Sequence, residues 1–409
     1  MNRVFCGIAF AVFCVVACAA DDAPWSSANL PTAEYEDAIM ASPAEVGEMR
    51  DWTASTFRGV MREGAAPRIE LEVLRQDHSV LRFGESCIET PLTIGTKSFE
   101  HGLGTHATSE ISVKVPSGAA RFMASVGIDN NHDTQGTRGT VQFSVEIAGV
   151  EVFRTPTVHG GEEPVAVDVN VPEGADRIVL KVDATEDGAS HDQANWADAR
   201  FIMKDGAERR LDENQSQLLF LGTQPPFSFV YGGKPSAEFI ESWTRESSTE
   251  AKPDRTIDTV TWTDPATGLR VTGVVTAFTR YPATDWVLFF ENTGTQDTPI
   301  LEDIQALDVR LRTGYMRHAP VLHELEGDAC GERTFHPKDT SLEAGKSLRV
   351  APTGGRPSSI SAFPFFNFEY EGRGLIAAIG WTGQWAAQLD RADTGPTRMR
   401  AGMERTHFV

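Results

Sequence analysis

Cysteine is scarce in this chain, and its distribution excludes a disulfide framework and a zinc site. Three of the five cysteines in the 409 residues, Cys6, Cys14 and Cys18, lie in or beside an apolar N-terminal run. The other two, Cys87 and Cys330, are far apart. Neither the pattern of a disulfide-rich domain nor zinc-ligand spacing is present, so both are expected to be buried small side chains.

Positive charge is also in short supply. The chain has 37 lysines and arginines against 58 aspartates and glutamates, a formal net charge of −21 at pH 7. Nucleic-acid binding needs clustered lysine and arginine to meet the phosphates, so no nucleic-acid partner is expected. An acidic surface suits a neutral, polyhydroxylated ligand, and it also simply keeps a protein in solution.

The N-terminal apolar run is too short to span a bilayer comfortably. It covers Val4–Val16 between Arg3 and a group of small residues, the layout of a signal peptide over residues 1–20. The small residues around Ala20 suit ordinary cleavage, whereas Val15-Val16-Ala17-Cys18 resembles a bacterial lipobox. We expect an exported bacterial protein, either secreted or periplasmic, or held at the cell surface by a lipid on Cys18.

Helix-forming sequence is confined to residues 26–62, which are expected to form a helical lead-in or spacer. From Arg68 onward, short β runs alternate with turn residues. Along Val141–Ile147, apolar and polar residues alternate with the period of a half-buried antiparallel strand. Strands at this spacing without intervening helices predict an all-β sandwich or jelly roll.

A second β-rich region follows the first. The polar residues 205–217 are the best linker candidate, and residues 218–409 are again rich in strand patterns and free of helical ones. The expected fold class is therefore all-β: a jelly-roll sandwich and a larger β-sandwich, preceded by a short helical segment.

The run GLGTHA at Gly102–Ala107 matches the dinucleotide-binding pattern G-x-G-x-x-A, but its surroundings do not. A dinucleotide loop needs a buried strand before the glycines and a helix after them. Here the preceding Gly95–Glu100 is polar, and Ile111–Val115 alternates as a strand does. The glycines are expected to be turn residues, placed where the backbone needs positive φ or room for close approach.

Four segments of the first β region, in this order, carry a family resemblance. They are GLGTHA, RFMASVGID at Arg121–Asp129, GTVQFSVEIAG at Gly139–Gly149 and HDQANWADARF at His191–Phe201. Together they resemble the NPCBM domain, the carbohydrate-binding module first noted with glycosyl hydrolase family 98. The resemblance covers residues 67–204 and implies a galactose-binding-like jelly roll that recognises sugars, often galactose-containing glycans.

The matched segments supply the candidates for carbohydrate binding. A sugar site needs an aromatic face and convergent polar groups. The candidates are His106, Asp129, His191, Asp192, Asn195 and Trp196. Alternatively, Trp196 packs in the core, His106 caps a loop and Asn195 holds the backbone.

A calcium loop is a further expectation in the same module. Asp129, Asn131 and Asp133 place oxygen side chains at alternating positions, as the start of a calcium loop does. The EF-hand pattern then fails, because Thr134 stands where it needs glycine and Thr140 where it needs glutamate. A structural Ca²⁺ on these three residues and a loop without metal both remain open.

The second region carries its own resemblance. Its segments Phe227–Glu246, Trp262–Gly294, Pro299–Asp308 and Gly374–Leu389 are similar to the N-terminal β-supersandwich of glycoside hydrolase family 36 α-galactosidases. In such enzymes this domain leans on a (β/α)₈ catalytic barrel and can lend aromatic side chains to the edge of the sugar pocket. The resemblance thus implies Trp381 and Trp385 as further carbohydrate-binding candidates, with packing as the alternative for both.

Catalytic residues are not expected in this chain. A retaining glycosidase holds two carboxylates about 5 to 5.5 Å apart, and in this family both come from barrel strands. No strand–helix alternation of a barrel is present. His323-Glu324-Leu325-Glu326 begins like a zincin motif, but Gly327 replaces its second histidine, and the sequence has no G-x-S-x-G elbow or P-loop.

Three functions follow from these observations. The main expectation is an exported carbohydrate-binding protein, the non-catalytic N-terminal part of an α-galactosidase-like glycoside hydrolase. The second is a complete α-galactosidase whose barrel lies outside this sequence. The third is a surface lipoprotein that serves attachment or assembly and has no sugar ligand.

Overall fold

The computed structural model describes residues 7–13, 43–59, 69–213, 220–221, 224–311, 313, 319–328, 331–353, 360–370, 373–381, 383–393, 396–403 and 405–408. Within these ranges the chain is almost entirely β-strand, with one α-helix, α1 (Pro43–Arg58), and two single-turn 3₁₀ helices at Ser236–Glu238 and Ile240–Ser242. The all-β fold class predicted from the period-two pattern is confirmed.

One strand precedes α1, and the strands that follow α1 up to residue 210 build the first sandwich. The strands are β1 (Gly7–Phe13), β2 (Leu71–Gln76), β3 (Arg82–Phe83), β4 (Leu92–Ile94), β5 (Lys97–Phe99), β6 (Gly102–His106), β7 (Ser109–Lys114), β8 (Ala119–Ile128), β9 (Thr140–Ile147), β10 (Val150–Arg154), β11 (Val158–His159), β12 (Val165–Asn170), β13 (Arg177–Ala184), β14 (Gln193–Met203) and β15 (Glu208–Arg210).

Two antiparallel sheets form this jelly roll. One has the order β10-β9-β13-β7-β2, with β11 on β9, and the other β12-β8-β14-β6-β3, with β15 on β14. Their inner faces enclose one apolar core. Because β15 pairs with β14, residues 208–210 of the predicted linker belong to this sheet, while residues 214–217 lie outside the described ranges.

Trp196 occupies the centre of the core between the two sheets. Its side chain is completely buried and meets Phe143 edge to face at 5.3 Å between ring centroids, with Phe122 at 6.4 Å. An indole enclosed in this way has no face to offer a sugar ring. The sugar contact predicted for Trp196 is therefore wrong, and the packing alternative is correct.

Gly102 and Gly104 lie in strand β6, so the predicted turn at GLGTHA is wrong. A Cβ on Gly104 would stand 2.3 Å from the carbonyl oxygen of Glu85, and one on Gly102 would stand 2.6 Å from that of Trp196. Glycine is required at both positions because a neighbouring backbone approaches each of them closely, as the expectation of room for close approach predicted. Strand β7 follows, where a dinucleotide site would need a helix.

The remaining strands build the second sandwich. They are β16 (Phe220–Leu221), β17 (Ser228–Tyr231), β18 (Lys234–Pro235), β19 (Thr244–Ala251), β20 (Arg255–Thr263), β21 (Leu269–Phe278), β22 (Ala283–Asn292), β23 (Leu301–Gln305), β24 (Leu307–Leu311), β25 (Val321–Leu325), β26 (Pro337–Ser341), β27 (Ser347–Val350), β28 (Phe365–Tyr370), β29 (Arg373–Ile379), β30 (Trp385–Arg391), β31 (Thr397–Met403) and β32 (His407–Phe408).

Among the described residues, three sheets make up this second region. The largest has nine strands in the order β19-β20-β21-β22-β1-β29-β28-β25-β26. The others have the orders β16-β24-β31-β30-β27 and β18-β17-β23-β32. The second apolar core is separate from that of the jelly roll.

Strand β1 lies inside the predicted signal peptide. It pairs antiparallel with β22 on one side and β29 on the other, with Phe10 opposite Trp286 and Ile379. A short apolar run suits a buried strand as well as the centre of a signal peptide. The signal peptide stays a prediction, and Cys18 lies outside the described residues.

Helix α1 packs into the second core, so its predicted role as a spacer is wrong. Met49, Trp52 and Phe57 are buried, and the Phe57 ring lies 5.3 Å from that of Trp286. Residues 26–42 and 60–62 of the predicted helical segment are outside the described residues. In the part of the chain that the structure describes, no helix has the length and hydropathy to cross a membrane.

We expect Gly104→Ala to destabilise the jelly roll by about 1–3 kcal/mol, because the new methyl group forces the Glu85–Ser86 backbone away. Gly47→Ala is the matched control: it lies in α1 with open space around it, where alanine stabilises a helix by about 0.5–1 kcal/mol. Thermal unfolding of the full chain measures both changes. Equal midpoints for Gly104→Ala and the wild type would contradict the close-approach argument.

Candidate functional site

Most of the predicted sugar-binding residues of the jelly roll gather at one end of one sheet. His106 ends β6 and is paired with Gln193, the first residue of β14. On the other side of β14, the Asp129 amide donates to the Gln193 carbonyl oxygen at 2.7 Å, just beyond the end of β8. The antiparallel order β8-β14-β6 therefore brings three separate segments together.

Five side chains form the part of this end that we call the histidine face: His78, His106, Asp133, His191 and Gln193. The rings of His78 and His106 lie 5.2 Å apart between centroids. The His191 Nε2 atom is 3.9 Å from Asp133 Oδ1, and Gln193 Nε2 donates to Asp133 Oδ2 at 2.5 Å. The face therefore combines imidazole rings, an amide and a carboxylate.

His106 is neutral at ordinary pH. Burial is the main cause that lowers its pKa to about 4, opposed by the hydrogen bond to the Ala107 carbonyl oxygen and assisted by nearby His78. Its Nδ1–H donates to that carbonyl oxygen at 2.8 Å, which leaves Nε2 as an acceptor. An acceptor of this kind can receive a hydrogen bond from a hydroxyl group without attracting anions.

Asp129 and Asn195 lie beneath the face and are fully buried. Asp129 Oδ1 accepts hydrogen bonds from the Thr93 amide at 3.0 Å and from Asn195 Nδ2 at 2.5 Å. Burial raises the pKa of Asp129, while these donors oppose the shift. Direct sugar contact, predicted for both residues, is wrong: they fix the backbone beneath the face, as the alternative for Asn195 proposed.

Asp192 is also buried and holds two strands together. Its Oδ1 accepts a hydrogen bond from the Thr140 amide of β9 at 2.8 Å. Burial raises its pKa to about 6, with the Thr140 bond opposing the shift. The sugar contact predicted for Asp192 is wrong, because its carboxylate faces the interior. The side chain joins the two sheets instead.

The predicted calcium ligands hydrogen-bond within their own loop, and the calcium site stays a prediction. Asn131 Oδ1 accepts from the amides of Asp133 and Thr134, at 2.8 and 3.1 Å, and its Nδ2 donates to Asp129 Oδ2 at 2.6 Å. The loop is thus closed by its own hydrogen bonds, and Asn131 turns donors, not oxygens, toward Asp129. In the described ranges no group of three or more His, Cys, Asp or Glu side chains could hold a metal ion.

The two tryptophans predicted in the second sandwich lie apart from the histidine face. Trp385, the first residue of β30, is completely buried in the second core, so the predicted sugar contact is wrong for it. Trp381 follows β29, is partly buried and packs against that core. Both side chains pack in or against the second core, and of the two only Trp381 retains solvent-exposed surface.

Sequence reasoning missed His78 and Gln193. Gln193 lies inside the HDQANWADARF segment, so the sequence contains its position, but no local pattern predicts that its amide contacts Asp133. His78 follows β2 and reaches the face through tertiary contacts, among them the Thr105 hydroxyl donating to Gln76 Oε1 at 2.9 Å. Asp133, a predicted calcium ligand, contacts His191 and Gln193.

The jelly roll corresponds to a known domain family. Residues 68–202 match the family model of the NPCBM/NEW2 domain. This match contains the whole histidine face and confirms the family resemblance of the first β region. The similarity of residues 218–409 to the family 36 supersandwich stays a prediction.

Two curated relatives match a limited part of the chain. One, from Renibacterium salmoninarum, is named as an endo-α-N-acetylgalactosaminidase; it is 34% identical over 113 residues, 27% of this chain and 7% of that protein. The other, alpha-1,3-galactosidase B of Akkermansia muciniphila, is 29% identical over 134 residues, 32% of this chain and 16% of that protein. The chain thus spans only a small part of each relative's length.

Solved structures of CBM51 modules are also similar. The CBM51 of Clostridium perfringens GH95 in complex with methyl-galactose is 24% identical and covers 31% of this chain and 90% of its own, with a TM-score of 0.29. CBM51-2 of Clostridium perfringens ZmpB in complex with GlcNAc is 26% identical and covers 31% and 28%, with a TM-score of 0.29.

Asp192 should make the jelly roll less stable as pH rises. Its folded pKa, about 6, lies above the ordinary 3.8, so between those values the native state keeps a proton that the unfolded chain has lost. The free energy of unfolding therefore decreases as the pH rises between these two pKa values, and it stays constant at higher pH. We expect Asp192→Asn to remove this fall, so that the variant gains stability relative to wild type between about pH 4 and about pH 7.

Asp168→Asn is the matched control, measured by denaturant titration at several pH values. The hydrogen bond and charge of Arg121 lower the pKa of Asp168, so its contribution to stability is present above the ordinary pKa and is lost on acidification. Its substitution should change the pH profile in the opposite direction. Parallel profiles for wild type and Asp192→Asn would refute the assignment.

Proposed function

We propose that the jelly roll binds a carbohydrate at the histidine face. The observation that carries the proposal is the neutral His106 beside Gln193 and Asp133 within the NPCBM-matching domain. His106 offers an imidazole acceptor and Asp133 a carboxylate, planar polar groups that bind hydroxyls, while the buried Gln193 amide holds Asp133 in place. The rings of His78 and His106 provide flat surfaces in place of the buried Trp196.

Galactose-containing glycans are the ligand class we propose. The two curated relatives are named for α-N-acetylgalactosaminidase and α-1,3-galactosidase activities, both directed at galacto-configured sugars. We further infer that this chain is the non-catalytic part of an α-galactosidase-like glycoside hydrolase, in which the histidine face holds the glycan near the enzyme. The resemblance to the family 36 supersandwich that the sequence of residues 218–409 predicts is consistent with this arrangement.

We expect His106→Ala to weaken binding of methyl galactoside to the full chain by about tenfold, which corresponds to about 1.4 kcal/mol, because a buried acceptor is lost. Isothermal titration measures the affinity. His132→Ala is the matched control, since His132 is exposed on the adjacent loop. It should bind as the wild type does.

Thermal unfolding of both variants must first show that the jelly roll is folded. Equal affinity of folded His106→Ala and wild type would overturn the proposed site. Wild-type binding of N-acetylglucosamine in preference to the galactoside would overturn the proposed ligand class and leave sugar binding intact.

Export is the second part of the proposal. Residues 1–20 have the layout of a signal peptide, and the same residues supply β1 to the nine-stranded sheet. We propose that the segment directs export and is then removed, with the lipobox-like sequence before Cys18 supporting lipid attachment.

Mass spectrometry of the protein expressed in a bacterial host tests export. We expect a mature chain that lacks Gly7–Phe13 and begins at a lipid-modified Cys18, because the small residues there suit processing. A free N-terminus at or after Ala20 would refute lipid attachment and keep export. An intact chain beginning at Met1 would refute both and favour β1 as a permanent strand.

A further inference from the structure

Strand β1 occupies an interior position of the nine-stranded sheet. It lies between β22 and β29, and all seven of its residues are in register with Ala283–Phe289 of β22. Its residues Phe10–Phe13 are also in register with Ile376–Ile379 of β29. The sheet therefore contains a position for one strand that has backbone on both sides. We call this position the β1 slot.

The directions of the strands disfavour closure of the slot without an occupant. β1 is antiparallel to β22 and also to β29, so β22 and β29 run in the same direction. Among the described strands, every other neighbouring pair of this sheet is antiparallel. Direct pairing of β22 with β29 would need a shift of one strand spacing, about 4.8 Å, and a parallel ladder with slanted hydrogen bonds inside an antiparallel sheet.

An empty slot would leave two rows of backbone groups without partners. In an antiparallel pair, alternate residues direct their amide and carbonyl groups toward the neighbouring strand, so β22 and β29 both present such a row to the slot. Backbone groups inside a sheet are paired in almost every native structure. Strand edges that lack a partner readily pair with another chain. The backbone of the slot is therefore suited to bind an extended strand.

The residues beside the slot set the side-chain preference of an occupant. Trp286 and Leu288 of β22 are completely buried, and Ala377 and Ile379 of β29 are buried as well. Directly opposite residues of an antiparallel pair share one face of the sheet. The positions of an occupant opposite these four residues therefore belong to the core face, where large apolar side chains are favoured.

The sequence of β1 matches this preference. In GIAFAVF (Gly7–Phe13) the large apolar residues Ile8, Phe10 and Val12 alternate with glycine and alanine, and no residue is charged. These three positions are the ones in register with the buried residues of β22 and β29. β1 thus shows which kind of strand the slot takes: seven extended, uncharged residues with large apolar residues at every second position.

We propose that the β1 slot is a strand-acceptor site, which binds an extended apolar segment of a partner polypeptide once β1 has been removed. The segment has the chemistry of Gly7–Phe13, and backbone hydrogen bonds supply its affinity while alternate side chains supply its specificity. A second processed copy lacks β1 as well and would have to give up a strand of its own sheet, so the donor is a different polypeptide. The inference rests on the removal of β1 during export, which is part of the proposed function.

A synthetic peptide tests the slot. It has the sequence Gly7–Phe13, with lysines at both ends for solubility and a fluorescent label, and it is titrated into the processed chain purified after export and into the full-length chain made without export. We expect the processed chain to bind it about tenfold or more tightly than the full-length chain, in which β1 fills the slot. Fluorescence anisotropy measures both affinities.

Two variant peptides distinguish strand addition from general apolar adsorption. Phe10→Asp places a charge opposite the buried Trp286 and Ile379. Ala9→Asp places the same charge opposite the half-buried Val287, on the other face of the sheet. We expect Phe10→Asp to weaken binding by about tenfold or more, because a charge enters the core, and Ala9→Asp by about twofold or less. Equal binding of the two variants would overturn the inference.

Hydrogen–deuterium exchange of the processed chain locates the bound peptide. We expect the peptide to slow exchange in Ala283–Phe289 and Ile376–Ile379 and to leave β19 and β20, at the far edge of the sheet, unchanged. Slow exchange of both slot strands before peptide is added would show that the slot has closed, and would overturn the inference. If those amides are protected only at concentrations where the processed chain sediments as a dimer, a second copy covers the slot and the inference is wrong.

Thermal unfolding decides the case in which the second sandwich of the processed chain is unfolded. The Gly7–Phe13 peptide should then restore a cooperative transition, and its Phe10→Asp variant should not. Absence of a transition with either peptide would overturn the inference. Retention of β1, found by mass spectrometry, would refute export and the inference together, whereas a processed chain that binds no peptide would overturn the inference alone and keep export.

Discussion

The hydrogen-bonded burial of Asp129 is the interaction on which the candidate site depends. A carboxylate without solvent is costly unless donors surround it, and here they come from three segments that are distant in sequence: Thr93, Asn131 and Asn195. Satisfying this one group therefore fixes the positions of β4, the loop after β8, and β14 relative to each other. The histidine face is built on that arrangement, because Gln193 and Asp133 belong to two of the segments that the carboxylate ties down.

Close backbone packing imposes the second constraint. Gly104 lets the Glu85–Ser86 backbone lie against β6, and Trp196 fills the space between the sheets on the neighbouring strand β14. The tightly filled volume of such a core leaves little freedom to replace either residue, since interiors pack as densely as organic crystals. Gly104 and Trp196, which mark the sequence most strongly, thus serve the fold, and the residues that we propose to meet a ligand are the less conspicuous histidines and Asp133.

The sequence was sufficient to predict the fold class, and most of the candidate residues it supplied gather at one end of the jelly roll, but it did not predict the orientation of individual side chains. Period-two alternation identifies a half-buried strand, whereas the first residues of β14, Gln193–Ala197, are buried on both faces and show no such period. Glycines at a turn and at a close approach look identical in sequence, so GLGTHA was misplaced. The packing of α1 into the second core and the approach of His78 to His106 depend on distant contacts that no local pattern encodes.

Directional hydrogen bonding is what the histidine face can contribute to the proposed recognition. Its imidazole and carboxylate groups accept hydrogen bonds only along particular lines. The neutral His106 carries no charge that would attract an anion. The carbohydrate site that we propose there needs no long-range attraction between opposite charges, so a net charge of −21 on the chain is compatible with a neutral glycan.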